Sequence, residues 1–211
     1  MKNLIQTKSE LWTRNLEHGK DVYGERIKNF KQGEFREWNP FRSKLAAALM
    51  KGIENPLNEN SRVLYLGAAT GTTVSHFSDL LTEGYVVALE FSPEVFADLY
   101  HVADNRKNII PLLGDALQPQ EYAFRVPPVD IVYQDIAQRM QTAIFKENCQ
   151  MFLKKGSIAI LCVKSRSIDV TKDPNTVFKE VQDELSKWCN ILMRKNLSPY
   201  QKDHCIFIVK V

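Results

Sequence analysis

Apolar residues follow two different rhythms along the chain, and the change falls near residue 62. Before it, short strand-like pieces at 4–6, 11–16 and 35–38 are separated by turn signals at His18-Gly19, Tyr23-Gly24 and Gln32-Gly33, which predicts a small β-rich unit. Asn39-Pro40 stops the last of these pieces, and the Leu-Ala-Ala-Ala-Leu-Met stretch predicts a helix over 42–51. A loop with Asn55-Pro56 follows. Beyond it, apolar runs at 63–66, 85–89, 109–112, 129–133 and 158–163 read as buried strands, with helices expected between them over 74–81, 93–104 and 143–152. Ser92-Pro93 supplies the cap and first-turn proline of the second helix. After Asp173-Pro174, residues Val177, Phe178, Val181, Leu185 and Trp188 recur at helical spacing over 176–188, and strands over 191–197 and 205–211 end the sequence. Phe178 and Trp188 are assigned to the core rather than to an interface.

This alternation predicts an α/β protein with a mainly parallel sheet. We divide it into residues 1–55, a β-rich module with its linking helix, and residues 56–211, the α/β domain. The length of 211 residues suits one well-filled domain with an appendage and excludes two large ones. Ordinary apolar and charged fractions, 44% and 25%, exclude disordered, collagen-like and coiled-coil classes. The longest clear apolar run covers 157–163, far short of the roughly 18 residues of a membrane span. With no signal peptide expected, Cys149, Cys162, Cys189 and Cys205 are expected to stay reduced, and the lack of any C-x-x-C pair argues against a metal site. The net charge of +3 resides in residues 1–60, with 11 basic against 8 acidic side chains; the remainder balances at 17 of each. That bias is compatible with nucleic acid without demonstrating it.

With only 9 glycines in the chain, the Gly67-Ala-Ala-Thr-Gly71 turn directly after the first strand of the second region is informative. Small residues there let a ligand approach the backbone at the carboxyl end of the strand, where the order of an open α/β sheet reverses. The dinucleotide fingerprint G-x-G-x-x-G is absent. Glu90 ends the second strand about 20 residues on, where an acid can accept both ribose hydroxyls. Asp115 ends the third, suited to an adenine amino group, and Asp135 and Gln138 end the fourth. Four consecutive strands, each ending in a glycine or an acid, point to an S-adenosyl-L-methionine site.

The segments GKDVYGERI (19–27), EWNPFRSKLAAAL (37–49), VLYLGAATGTTVSH (63–76), VALEFSP (87–93), RKNIIPLLGDA (106–116), QDIAQ (134–138), KSRSIDVTKDP (164–174) and KDHCIFIV (202–209) closely resemble the fibrillarins, in particular the short archaeal members. The resemblance spans nearly the whole chain. It implies a Rossmann-like methyltransferase sheet with an antiparallel last strand, and methyl transfer to ribose 2′-hydroxyls of pre-rRNA and tRNA selected by box C/D guide RNAs. It also implies two protein partners: a Nop-family scaffold, and a kink-turn-binding ribosomal-protein-like protein that joins through the RNA. Cofactor contacts are implied for Gly67, Ala68, Gly71, Thr72, Thr73, Glu90, Phe91, Asp115, Ala116, Asp135, Ile136, Ala137 and Gln138. Two positions depart from the pattern: Gln134 stands where an acid is frequent, and Thr70 where Ser is commoner. The Gly- and Arg-rich tail of eukaryotic fibrillarins is absent, which favours an archaeal-type, cytoplasmic protein over a nucleolar one.

The resemblance further implies a catalytic tetrad of Lys44, Asp135, Lys164 and His204. A ribose hydroxyl is a very weak acid, so the site must align it and take its proton as the new bond forms. Lys164, at the end of the 158–163 strand, sits beside the crevice. A neighbouring cation such as Lys44 and partial burial favour a neutral amine there, whereas Asp135 favours the charged one. Base and electrostatic clamp are both open for Lys164, and His204 orients the ribose or relays the proton. Arg36, Arg42, Lys154, Arg166 and Lys172 are the candidate RNA phosphate contacts; His18, His76 and His101 are read as structural. Two other classes of function stand beside the guided enzyme: a guide-independent RNA 2′-O-methyltransferase and a non-catalytic subunit of an RNA-processing particle.

Overall fold

Two sheets organise the protein in the computed structural model, which describes residues 2–211. The smaller is antiparallel, with strands β1 (Leu4–Gln6), β2 (Leu11–Arg14), β3 (Ile27–Phe30) and β4 (Gly33–Glu37) in the order β1-β2-β4-β3. Strand β3 was not anticipated: its two apolar residues are only half-buried at the sheet edge and its centre is Lys28-Asn29, so its hydrophobic signal is weak. Helix α1 (Lys44–Met50) follows, opened by the Ser43 hydroxyl accepting from the Ala46 amide.

The larger sheet contains β5 (Arg62–Leu66), β6 (Tyr85–Glu90), β7 (Ile109–Leu113), β8 (Ile131–Gln134), β9 (Ile158–Lys164), β10 (Asn190–Asn196) and β11 (His204–Lys210). Their order is β10-β11-β9-β8-β5-β6-β7. Strands β5 to β9 pair in parallel, whereas β11 lies antiparallel between β9 and β10. The helices are α2 (Thr72–Leu80), α3 (Pro93–Asp104), α4 (Pro119–Tyr122), α5 (Gln141–Phe152), α6 (Ser165–Ile168) and α7 (Pro174–Leu185). The single-turn α4 and α6 were not expected, being too short for a periodic pattern. Among the described residues no helix is long and apolar enough to cross a membrane.

Alternation along β5 shows how the sheet is covered. Val63 and Tyr65 join a core with α1 and α2, while Leu64 and Leu66 join the opposite core with Phe145 of α5 and Phe178 of α7. Phe178 is wholly buried, and the half-buried Trp188 packs edge-on against Phe145. From β5 the chain runs outward through β6 and β7, then returns to β8 and β9 on the other side. The order therefore reverses between β5 and β8, opening a crevice at their carboxyl ends.

A buried polar cluster ties the small sheet to α2. Arg36 donates to Asp79 at 2.7 Å and Ser75 at 2.6 Å and pairs with Glu25, while Arg106 donates to the other Asp79 oxygen at 2.6 Å. His76, stacked on Trp38, bonds Thr13 and Tyr23 through its two ring nitrogens, each at 2.7 Å. Burial, reinforced by Arg36 and Arg106, pushes its pKa well below the usual histidine value. Arg36 is thus not an RNA contact: its side chain has no exposed surface. A basic residue in a sequence does not reveal that buried acids await it.

Candidate active site

Four strand ends build the first cleft, about 270 Å³ in volume. Gly67 has a left-handed φ of +82°, and a Cβ there would lie 2.6 Å from the Asp135 carbonyl oxygen, so only glycine allows β5 and β8 to exit this closely. Gly71, also left-handed, opens α2 without lining either cleft. Ala69, at φ +48°, is held by its amide donating to Glu90 Oε2 at 2.9 Å, and Ser92 N–H donates to Oε1 at the same distance. Both Glu90 oxygens are oriented in this way, and the side chain lines the cleft. Asp115 Oδ1 accepts from the Leu117 amide at 2.9 Å. The exposed Phe91 ring, Ala116 and the run Ile136, Ala137 and Gln138 complete the walls, together with Leu89, Gly114 and Ile144, which were not anticipated.

A second cleft of about 370 Å³ adjoins the first and shares Gly67, Ala69, Asp135 and Ala137 with it. Ala68, Thr72 and Thr73 line this cleft, as do Lys44, Lys164 and His204. Lys44 Nζ bonds both Asp135 carboxylate oxygens, at 2.7 and 2.9 Å. Burial pulls the Lys44 pKa down, but Asp135 more than offsets this and the net shift is upward, so Lys44 stays an ammonium. Lys164 at the end of β9 faces His204 at the start of β11 in direct register. Gln201 Nε2 donates to the Pro40 carbonyl at 2.9 Å, joining the loop before His204 to the segment before Lys44. Burial chiefly lowers the His204 pKa. Beneath the cleft lie Tyr65, Tyr133 and Cys162, with the Cys162 thiol donating to Tyr133 Oη at 3.1 Å. This floor is missing from the sequence reading because apolar strands disguise it.

Of the remaining basic candidates, Arg42 is exposed at the mouth of the second cleft, its guanidinium 4.8 Å above the Tyr23 ring. Arg166 is engaged with Asp203, and Lys172 pairs with Glu180 at 2.7 Å. Lys154 precedes β9 and lies at the opposite end of the sheet, so it is not at the site. His18 is exposed near Glu34 and His101 is exposed in the last turn of α3. Among the described residues no group of three His, Cys, Asp or Glu side chains could hold a metal ion.

The Fibrillarin family model matches residues 2–211. The chain belongs to the fibrillarin family. It is 50% identical over 200 residues to the fibrillarin-like rRNA/tRNA 2′-O-methyltransferase of Pyrococcus abyssi, covering 94% of this chain and 88% of that protein. The fibrillarin of a fibrillarin/Nop5p complex superposes with a TM-score of 0.92 at 42% identity, covering 100% of this chain and 98% of that one. Aeropyrum pernix fibrillarin with natively bound S-adenosyl-L-methionine gives 0.87 at 44% identity, over 95% and 88% of the two chains. Against the fibrillarin pattern, Gln134 now has a physical reading. It is wholly buried, and its amide donates to the Gln141 carbonyl at 2.6 Å, a bond that an ionised acid could not make.

Proposed function

We propose that this fibrillarin transfers a methyl group from S-adenosyl-L-methionine to RNA ribose 2′-hydroxyls, as the catalytic subunit of a box C/D guide ribonucleoprotein acting on pre-rRNA and tRNA. The observation that carries this reading is the junction of the two clefts. One has oriented acids suited to a nucleoside, the other holds Lys44, Asp135, Lys164 and His204, and they meet at Gly67 and Asp135. The glycine that a Cβ would block and the paired backbone donors on Glu90 fit the cofactor well. Glu90 would hold its ribose, Asp115 its adenine amino group, and Phe91 and Ile136 the ring faces. When bound, the cofactor supplies a methyl group already activated on a sulfonium.

The protein's own residues then act on the acceptor. Lys44 fixes the Asp135 carboxylate at the junction, while Lys164 and His204, opposite one another on adjacent strands, would meet the incoming hydroxyl. Among the five basic residues expected to touch RNA, Arg42 alone stands uncommitted to a carboxylate at this mouth, too little charge to hold RNA tightly without partners. This favours the guided particle over a guide-independent enzyme. The Nop5p complex of a 42% identical fibrillarin supports a Nop-family scaffold as one partner. Guide RNA, target RNA and a kink-turn-binding protein are the other proposed members.

Calorimetric titration with S-adenosyl-L-methionine, beside Glu90→Ala and Asp115→Ala, tests the first cleft. Transfer assays with and without scaffold and guide test the second. Binding lost in both variants and transfer only in the full assembly is expected. Transfer to naked RNA would establish the guide-independent enzyme instead, and absence of cofactor binding would leave a structural subunit.

A further inference from the structure

Asp203 has a left-handed backbone, φ +60°, in the turn immediately before His204. Short polar residues reach this region more readily than others, so a turn alone could explain it. What a turn does not explain is where its groups go. The Asp203 carbonyl accepts from both the amide and the hydroxyl of Ser165, at 3.0 and 3.1 Å, and Ser165 directly follows Lys164. Its carboxylate accepts from Arg166 Nε at 3.2 Å, and the same guanidinium donates to the Val170 carbonyl at 2.8 Å. The turn carrying His204 is therefore pinned to the segment carrying Lys164 by three bonds, all to one residue.

The pinning has a chemical result. His204 Nδ1 lies 2.6 Å from the Lys202 carbonyl oxygen. A carbonyl can only accept, so Nδ1 carries the hydrogen, and in the neutral ring Nε2 is the bare nitrogen. We propose that Asp203 is a positioning residue that holds His204 in this tautomer, and that Nε2 of His204 takes the proton of the ribose 2′-hydroxyl.

This rests on the methyltransferase reading given above. As the 2′-oxygen gains the methyl carbon, the carbon–sulfur bond breaks with its electrons left on sulfur. The hydroxyl proton passes to Nε2, and the imidazolium then releases a proton to water. The surroundings suit the part. Burial lowers the His204 pKa and the neighbouring Lys44 and Lys164 side chains act in the same direction, while the Lys202 carbonyl and Asp135 oppose them; the net shift is downward, which favours the neutral ring. Lys44 is matched to Asp135 and unsuited to accept a proton.

The test combines nitrogen NMR of histidine-labelled protein, with His204 assigned by its loss in His204→Gln, and single-turnover transfer in the assembled particle at saturating RNA. The native protein is expected to show Nδ1 protonated and Nε2 bare at neutral pH. Asp203→Ala is expected to raise the Nε2-protonated population at least threefold and slow transfer about 10- to 100-fold, with RNA affinity within twofold. Asp203→Asn, which tolerates the left-handed turn and keeps an acceptor for Arg166, should restore the tautomer and most of the rate. Arg166→Gln, which leaves the turn residue in place, should move both readouts the same way by less, and it serves if Asp203→Ala fails to fold. In every variant the acid limb of the rate should follow the His204 titration midpoint. A native ring protonated at Nε2, a tautomer indifferent to Asp203→Ala and Arg166→Gln, or an acid limb that ignores the His204 midpoint would each overturn the proposal. Absence of transfer in the native particle would sink the methyltransferase reading itself, while the tautomer would still judge the part played by Asp203.

Discussion

Lys44 and Asp135, 91 residues apart in sequence, form a two-pronged ion pair on the wall between the two clefts. Each side chain keeps about a fifth of its surface exposed, 20% and 18%. Removing the ammonium would leave a carboxylate largely out of water. Lys44→Met is expected to lower stability by roughly 2 kcal/mol, below the usual cost for a fully buried pair because water still reaches it. Urea unfolding measures this. Methyl transfer should fall at least about 100-fold, since Asp135 loses its anchor.

The same pair has a pH signature. A lysine whose folded pKa is raised contributes stability that is complete below its unfolded value, about 10.4, and is lost as pH rises through the folded value. Unfolding free energies taken from pH 9 to 12 should drop more steeply for the native protein than for Lys44→Met. Equal slopes would mean that the pair contributes nothing.

His76 predicts the opposite limb. Its folded pKa is depressed by burial, so below about pH 6.5 the unfolded chain binds a proton that the native ring refuses. Stability is therefore complete above that pH and falls beneath it, at up to about 1.4 kcal/mol per pH unit. His204, also depressed, adds a smaller contribution of the same sign. His76→Gln should flatten most of the fall between pH 6.5 and 5, as followed by thermal unfolding.

Gly67→Ala introduces a Cβ 2.6 Å from the Asp135 carbonyl in a backbone region that side chains avoid. Cofactor affinity is expected to fall more than about tenfold, 1.4 kcal/mol or more, as β5 and β8 are forced apart. Calorimetry decides it, and an unchanged affinity would remove the close approach from the account of the cleft.

Arg42→Gln should weaken RNA binding and reduce the slope of log affinity against log salt by about 1. Cofactor affinity should not change, because Arg42 does not line the first cleft. Filter binding over a salt series, in the assembled particle, provides the measurement.

Legibility from sequence followed a physical divide. Gly67, Glu90, Asp115 and Asp135 were readable because each ends a parallel strand, and the alternation of strands and helices places such ends on one rim. The helix cap at Ser92 was readable because it acts within three residues. Strand β3 was hidden, since an edge strand with a polar centre owes its existence to β4 rather than to its own pattern. Arg36 was misjudged because its carboxylate partner Asp79 lies 43 residues away, and charge alone does not reveal a partner. Asp203 itself gave no signal, because the bonds that join it to Ser165 and Arg166 span 38 and 37 residues of sequence.

Helix α2 carries two attachments on one nine-residue rod. Its first turn grows from the glycine loop beside the cofactor cleft, while Ser75, His76 and Asp79 further along it grip the small sheet. The small sheet and the cofactor loop are therefore expected to melt as one cooperative unit, and a ligand that steadies the loop is expected to slow amide exchange in strands it never touches.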